Sequence, residues 1–207
     1  MIGFMGGRGV GKSTLAHHLV QAHGFARAHP FDGGKAASLA YFMHLGASLE
    51  DAESMIMGAM KDAPCPLLPL DQDGRHYAPR YFLEKFGAFM GNDLGDAWTL
   101  GKEIERLQAD GCDRIIFESI AFEAERFQEI GGIIIEIQPL NIRKEHMIVG
   151  VETDGAVRRI VPDHVFQNNF STNVLGEKDK DKLFSLLDEF LDERDLLHSV
   201  SEFDLAM

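Results

Sequence analysis

The chain has 207 residues, room for one substantial domain with its own core and little more. With 45% hydrophobic and 26% charged residues it falls outside the disordered, collagen-like and multi-span membrane classes, and no run approaches the roughly 18 apolar residues of a transmembrane helix. A net charge of −13 works against indiscriminate adhesion to nucleic acid or to an anionic membrane, so neither partner is expected and any bound phosphate must be held by a local device.

Ile2–Met5 reads as a short buried strand entering a glycine-rich turn. Lys12–His23 follows as a helix with Leu15, Ala16, Leu19 and Val20 on one face, and Gly24 supplies its stop. Ala26–Phe31 is a candidate second strand. Helical patterns follow at Ala36–Leu45 and Leu49–Lys61, the latter opened by Ser48 with Asp51 three residues on, close to a capping box. Asp62–Ala78, with Pro64, Pro66 and Pro69, reads as a long loop, and loops of that length often carry function. Pro79 suits a first helical position, and Arg80–Met90 and Leu94–Ala109 are expected to be separate helices ending near Gly91 and Gly111.

Arg114–Phe117 and Ile133–Ile137 are apolar β-branched runs of the kind buried on both faces in a parallel sheet, with a helical stretch around Ala121–Ile130 between them. Strands alternating with helices predict an α/β fold. Two alternating runs around Thr153-Asp154-Gly155, between Met147 and Val161, signal a hairpin outside the parallel core. Its alternating face offers a surface on which a homodimer could form. His164–Gln167 is a candidate last strand and Lys178–Arg194 an amphipathic closing helix.

Cys65 and Cys112 form neither a disulfide framework nor a zinc motif, and the segment before the first glycines is too short for the apolar part of a signal peptide, so a cytoplasmic protein is expected. The nine histidines are scattered, and His18 and His23 lack the i,i+4 spacing that metal pairs on a helix prefer, which favours solvated positions over a metal site.

The motif with chemistry is Gly6-Gly7-Arg8-Gly9-Val10-Gly11-Lys12-Ser13, a full match to G-x-x-x-x-G-K-S/T, followed by Thr14. Amides of such a loop and of the helix's first turn point at phosphate oxygens, and the helix dipole adds favourable potential for an anion. In this motif Lys12 reaches the β and γ phosphates of ATP and the Ser13 hydroxyl ligates Mg2+. Arg8 either approaches the γ phosphate or faces solvent. There is no guanine-reading N-K-x-D, and the chain is short for a large ATPase, so a small-molecule kinase suits the size.

The chain resembles the phage-type deoxynucleoside monophosphate kinases and, more broadly, the P-loop nucleoside and nucleotide kinases. Four stretches carry the resemblance: the loop; His23-Gly24-Phe25 leading to Phe31-Asp32-Gly33-Gly34-Lys35; Pro79-Arg80-Tyr81-Phe82-Leu83-Glu84 through Met90-Gly91-Asn92-Asp93 to Asp96-Ala97-Trp98; and Ile115-Ile116-Phe117-Glu118-Ser119 with Glu123-Ala124 and Gly131-Gly132. The resemblance implies a three-layer P-loop kinase fold in a single domain over residues 1–207, a mainly parallel sheet of about five strands flanked by helices, a monophosphate-binding helical region near 36–110 and a lid or hairpin near 139–162. It also implies transfer of a phosphoryl group from ATP to a nucleoside monophosphate. The family ends its third strand in Asp-x-Arg, where this chain has Glu118-Ser119-Ile120, and has an arginine where this chain has Gln138.

Roles follow from the need to align and neutralise charge. Glu118 at the end of a central strand can orient a magnesium-bound water or the acceptor, or be a solvated acid. Arg80 is the candidate grip on the acceptor phosphate, with a surface pair to Glu84 as the alternative. Asp32 could meet the sugar or base and Lys35 a phosphate, while Trp98 either walls the base pocket or packs in the core. Arg143 is the first candidate to close over the phosphates, followed by Lys144, Arg158 and Arg159, and Asn168 and Asn169 could edge the adenine pocket or form a turn. The alternatives are a kinase for another small acceptor, of the dephospho-coenzyme A or shikimate kind, and a nucleotide-binding module that has lost catalysis. Lys12→Ala is expected to abolish ATP binding and turnover; calorimetric titration showing unchanged affinity would remove the loop from the argument.

Overall fold

The structure, a computed structural model, describes residues 1–7, 9–139, 160–169 and 177–197, with backbone alone for 177 and 178. Its elements run β1 (Ile2–Met5), α1 (Lys12–His23), β2 (Ala26–Ala28), α2 (Asp32–His44), α3 (Leu49–Met57), α4 (Pro79–Phe89), α5 (Asp96–Ala109), β3 (Ile115–Phe117), α6 (Ala124–Glu129), β4 (Ile133–Pro139), β5 (His164–Asn168) and α7 (Glu177–Asp192). The five strands form one sheet in the order β2-β3-β1-β4-β5, and every neighbouring pair is parallel. This is the expected α/β architecture of a parallel sheet flanked by helices. Among the described residues no helix is long and apolar enough to cross a membrane.

Continuous apolar strands are explained by burial on both faces, since successive side chains of a strand point to opposite sides. Ile2, Phe4, Ile116, Ile135 and Ile137 pack with Leu15 and Leu19 of α1 and Leu183, Leu187 and Leu191 of α7 on one face. Met5, Ile115, Phe117 and Ile134 pack with Leu100, Ile104 and Leu107 of α5 and Phe127 of α6 on the other. Gly3 points toward that second layer, where a Cβ would lie 2.9 Å from both Ile120 and Phe127. A third cluster, built from Phe42, Ala52, Met55, Ile56, Cys65, Leu68 and Leu83, joins α2, α3, α4 and the long loop.

Several boundaries differ from the sequence expectation for identifiable reasons. β2 stops at Ala28, three residues before Phe31, because the His29 N–H donates to the Asp32 carboxylate at 2.8 Å and turns the chain, and Pro30 has no N–H to give a ladder. α2 starts at Asp32 rather than Ala36: the buried Glu103 carboxylate of α5 accepts from the Gly33 N–H at 3.1 Å and caps the helix from a distance, overriding the poor propensity of two glycines. α3 stops at Met57 because Gly58 is extended, and Ala59–Asp62 form a separate 3-10 turn. α4 and α5 are separate helices as expected, but Met90–Gly95 forms a π-helical turn in place of the stop expected at Gly91, and the break falls at Gly95, whose φ of 94° and ψ of 134° are not helical. The Ser48 cap is present, its Oγ accepting from the Asp51 N–H at 3.1 Å. The long loop is ordered: Cys65 and Leu68 are buried in the third cluster, and the Cys65 N–H donates to the Tyr77 carbonyl at 3.0 Å.

Asn168, at the end of β5, is 2% exposed and donates from Nδ2 to the Val10 carbonyl at 2.8 Å. It therefore anchors the loop after β1. Asn168→Ala leaves that carbonyl without this donor in a buried setting, and urea unfolding is expected to show a loss of about 1–3 kcal/mol.

Candidate active site

The loop between β1 and α1 is shaped by glycine. Gly6 has φ of 138°, and a Cβ there would stand 2.6 Å from the Ile137 carbonyl oxygen of β4, so the backbone crosses β4 closer than any side chain permits. Gly11 caps α1 with φ of 97°, a left-handed conformation, and brings no side-chain acceptor. The first turn of α1 carries no acid either. Its amides and the positive end of its dipole are thus left for an anion. Lys12 Nζ donates to the carbonyls of Gly6 and Gly7, each at 2.7 Å, which holds the ammonium over the loop. Val10 is buried and Ser13 exposed at the helix start. Thr14 lies beside Ser13 on the first turn and is partly exposed, while Arg8 lies outside the described residues.

Beside the loop lies a cavity of about 270 Å³ whose lining includes Gly6 and Lys12. Three more cations reach it: Lys35 from α2, Lys61 from the 3-10 turn and Arg80 from the first turn of α4. Phe31, Leu83, Gly87, Ala88 and Phe122 supply an apolar wall, and Glu84 and Glu123 the acids. The positive groups crowd one another. Burial, followed by repulsion from Arg80 and Lys35, brings the Lys61 ammonium down to about 8 from its ordinary 10.5. His29 is held neutral, well below the ordinary imidazole range, by burial first and then by Lys35 and Lys61. Its Nδ1 accepts the Phe31 N–H at 3.0 Å, which leaves the proton on Nε2. Burial pushes the Glu123 carboxyl up, and the Asp96 charge adds to that.

Of the residues singled out in the sequence, Lys12, Lys35 and Arg80 meet at this cavity. The Arg80 guanidinium takes both oxygens of Asp62, with Nη2 at 2.9 Å from Oδ2 and Nε on Oδ1. Asp32 has its two oxygens engaged by the Lys35 ammonium and the His29 N–H at 2.8 Å each. Trp98 is not packed in the core, standing 51% exposed on α5, and is not among the residues that line this cavity. Arg143, Lys144, Arg158, Arg159 and nearly all of the expected hairpin lie outside the described residues.

Glu118 follows the last residue of β3, next to β1, and is 8% exposed. Its Oε1 accepts from Arg27 at 3.1 Å, while its Oε2 is buried with no hydrogen-bond partner among the described residues. An orphaned carboxylate oxygen beside the strand that leads into the glycine loop suits a hard cation or its water. Ile120 is buried and contacts the space over Gly3, and Gln138 bridges Glu136 at 2.7 Å and Gln167 at 2.9 Å. Sequence reasoning missed Lys61, His29 and Glu123. His29 had a local trace in the acid Asp32 three residues on, and Glu123 stood in the Glu-Ala pair of the resemblance without being given a role.

No protein-family profile matches the chain, and no curated protein matches it in sequence. In structure it is similar to an unliganded sugar kinase from Janibacter sp., with 14% identical residues and a TM-score of 0.41 over 96% of this chain and 97% of that one.

Because Lys61 in the folded chain releases its proton near 8, against an ordinary 10.5, the unfolded chain binds more protons between those values and stability rises with pH across that window. Relative to wild type, Lys61→Met is therefore expected to show its greatest relative stability at pH 7, an advantage that shrinks above pH 8 and is gone beyond about 10.5. Urea midpoints at three pH values check this, and a difference that does not change with pH would refute the crowding of Lys61.

Proposed function

We propose that the chain is a P-loop kinase that uses ATP to phosphorylate a nucleoside monophosphate, with a deoxynucleotide as the acceptor suggested by the resemblance. The observation that carries this reading is the convergence of Lys12, Lys35, Lys61 and Arg80 on one cavity beside the uncapped start of α1, in a chain whose net charge is −13. Positive groups that lower one another's proton affinity are stabilised together by a polyanion. The apolar wall of Phe31, Leu83 and Phe122 offers a planar base a surface while the cations take its phosphate.

In the proposed reaction an oxygen of the acceptor phosphate forms a bond to the γ phosphorus as the bond to the β–γ bridging oxygen breaks, and ADP leaves. That nucleophile arrives deprotonated, so the residues need only align it and neutralise charge. The loop amides and Lys12 hold the ATP phosphates, and Lys35, Lys61 and Arg80 bring the acceptor into line, Lys35 and Arg80 exchanging Asp32 and Asp62 for phosphate oxygens. Magnesium, when bound, neutralises the β and γ oxygens; Ser13 and Glu118 are the residues that would hold it, Glu118 through a water.

One observation favours a second reading, a nucleotide-binding module without catalysis: the two positions where the family has arginines hold the core residue Ile120 and the side-chain bridge Gln138. A coupled ADP-release assay with ATP, magnesium, the four deoxynucleoside monophosphates, AMP, CMP, GMP and UMP separates the two. Stimulation over the no-acceptor control by one or two of them is expected. With that acceptor, Lys61→Met is expected to raise KM about 10–100-fold, the cost of one charge-assisted contact, with a smaller change in kcat. ATP binding without stimulation by any acceptor would favour the module.

A further inference from the structure

A second cluster lies toward the other end of α1. His18 and His23 on this helix both direct Nε2 at one oxygen of Asp188 on α7, each at 2.8 Å from Oδ1. The three ligand atoms all lie within 4.8 Å of one another. All three side chains are largely covered, at 12%, 22% and 33% exposure for His18, His23 and Asp188. The rings are fixed in orientation: His18 stacks on Phe184, with centroids 4.2 Å apart and planes 5° apart, and stands edge-on to His23 at 85°. Arg114 donates to the His23 carbonyl at 2.8 Å and secures the end of the helix.

Two imidazoles aimed from perpendicular planes at a single carboxylate oxygen exceed what joining two helices requires, for which one hydrogen bond suffices. The donor set of two nitrogens and one oxygen suits a borderline divalent ion of the zinc class, whereas magnesium prefers oxygen throughout. A tetrahedral ion with bonds of about 2.0–2.1 Å sets its ligands about 3.3 Å apart, so the two nitrogens must settle at that separation and the Asp188 carboxylate draw back by about half an ångström from each. Its partial exposure permits that and leaves a fourth position for water. Each imidazole would then carry its proton on Nδ1. The spacing of five residues between the histidines concealed the site in sequence, because the third ligand lies 165 residues after His23.

We propose that His18, His23 and Asp188 form a three-ligand site for a zinc-class divalent ion, which pins α7 to α1 away from the phosphate loop. An ion that binds only the folded chain raises its melting temperature. The test is a titration of the untagged chain with Co2+, read by visible absorption, and with Zn2+, read by thermal unfolding. One equivalent of Co2+ is expected to give the visible bands of tetrahedral nitrogen and oxygen ligation, and Zn2+ to raise Tm where Mg2+ does not. His23→Gln and Asp188→Asn, which keep polar groups in place, should each weaken Co2+ by more than the roughly 10–100-fold that follows loss of an outer-sphere partner. Circular dichroism melts without metal verify that these variants fold. In wild type alone, Zn2+ should protect His18 and His23 from acylation by diethyl pyrocarbonate, as read by peptide mass mapping. Unchanged affinity in folded variants, thiolate charge-transfer bands that put the ion on cysteine, or histidines left open to acylation would each overturn the site.

Discussion

Parallel strands release their chains at one end of the sheet, and in the order β2-β3-β1-β4-β5 the chains leaving the neighbours β1 and β4 run in opposite directions. After β1 the chain runs through α1 to β2, beyond β3; after β4 it continues to β5 on the opposite flank. The crevice at such a reversal is where open α/β sheets take ligands. Here the glycine loop falls into it, so close to β4 that Gly6 admits no side chain against the Ile137 carbonyl. Asn168 then ties the loop to β5, so the strands on one side of β1 fix the geometry of a site whose charges come from the other. Those charges ride on α2, the 3-10 turn and α4, all inserted between β2 and β3.

Collecting positive charge in one place costs folding free energy, and the chain limits that cost with partners that are themselves movable. Asp62 takes the Arg80 guanidinium and Asp32 takes the Lys35 ammonium, both as partly exposed pairs of the kind worth little in water. A phosphate that displaced these carboxylates would find cations already gathered and oriented, with little reorganisation left to do. Lys61 has weaker compensation: Asp62 and Glu84 raise its proton affinity, but burial, Arg80 and Lys35 lower it more. The same surroundings keep His29 neutral and a donor through Nε2.

What was legible in the sequence was what local pattern dictates. The runs Ile2–Met5, Ile115–Phe117 and Ile133–Ile137 are buried on both faces, and such strands need no alternation to be recognised. The glycine loop, the α1 boundaries and the Ser48 cap were equally local, since each rests on residues within one or two turns. What failed depended on distant residues. The start of α2 is set by Glu103, seventy residues later, and the partner of Arg80 is eighteen residues earlier. Lys61 carries no motif and reaches the site only because Gly58 ends α3 and the 3-10 turn redirects the chain. Trp98 was singled out for its chemistry, but helical phase put it on the outer face of α5.

The positions that depart from the resembled family follow the same logic. Ile120 is 1% exposed, and its Cγ1 approaches Gly3 so closely that no Cβ could be added there. Ile120 belongs to the apolar layer of Phe117, Phe127 and Ile134 and also lines the cavity near Glu123, so an arginine there would exchange core packing for a charge at the cavity. Such a substitution would give up the packing of Ile120 over Gly3 between β1 and α6. On the proposed reading, positive charge for a transferring phosphoryl group comes instead from cations that already face the cavity. Lys35, Lys61 and Arg80 do so from three separate elements. On the proposed reading the catalytic charge has moved from the sheet edge to the inserted helices, so the helices that grip the acceptor would also stabilise the reacting phosphate.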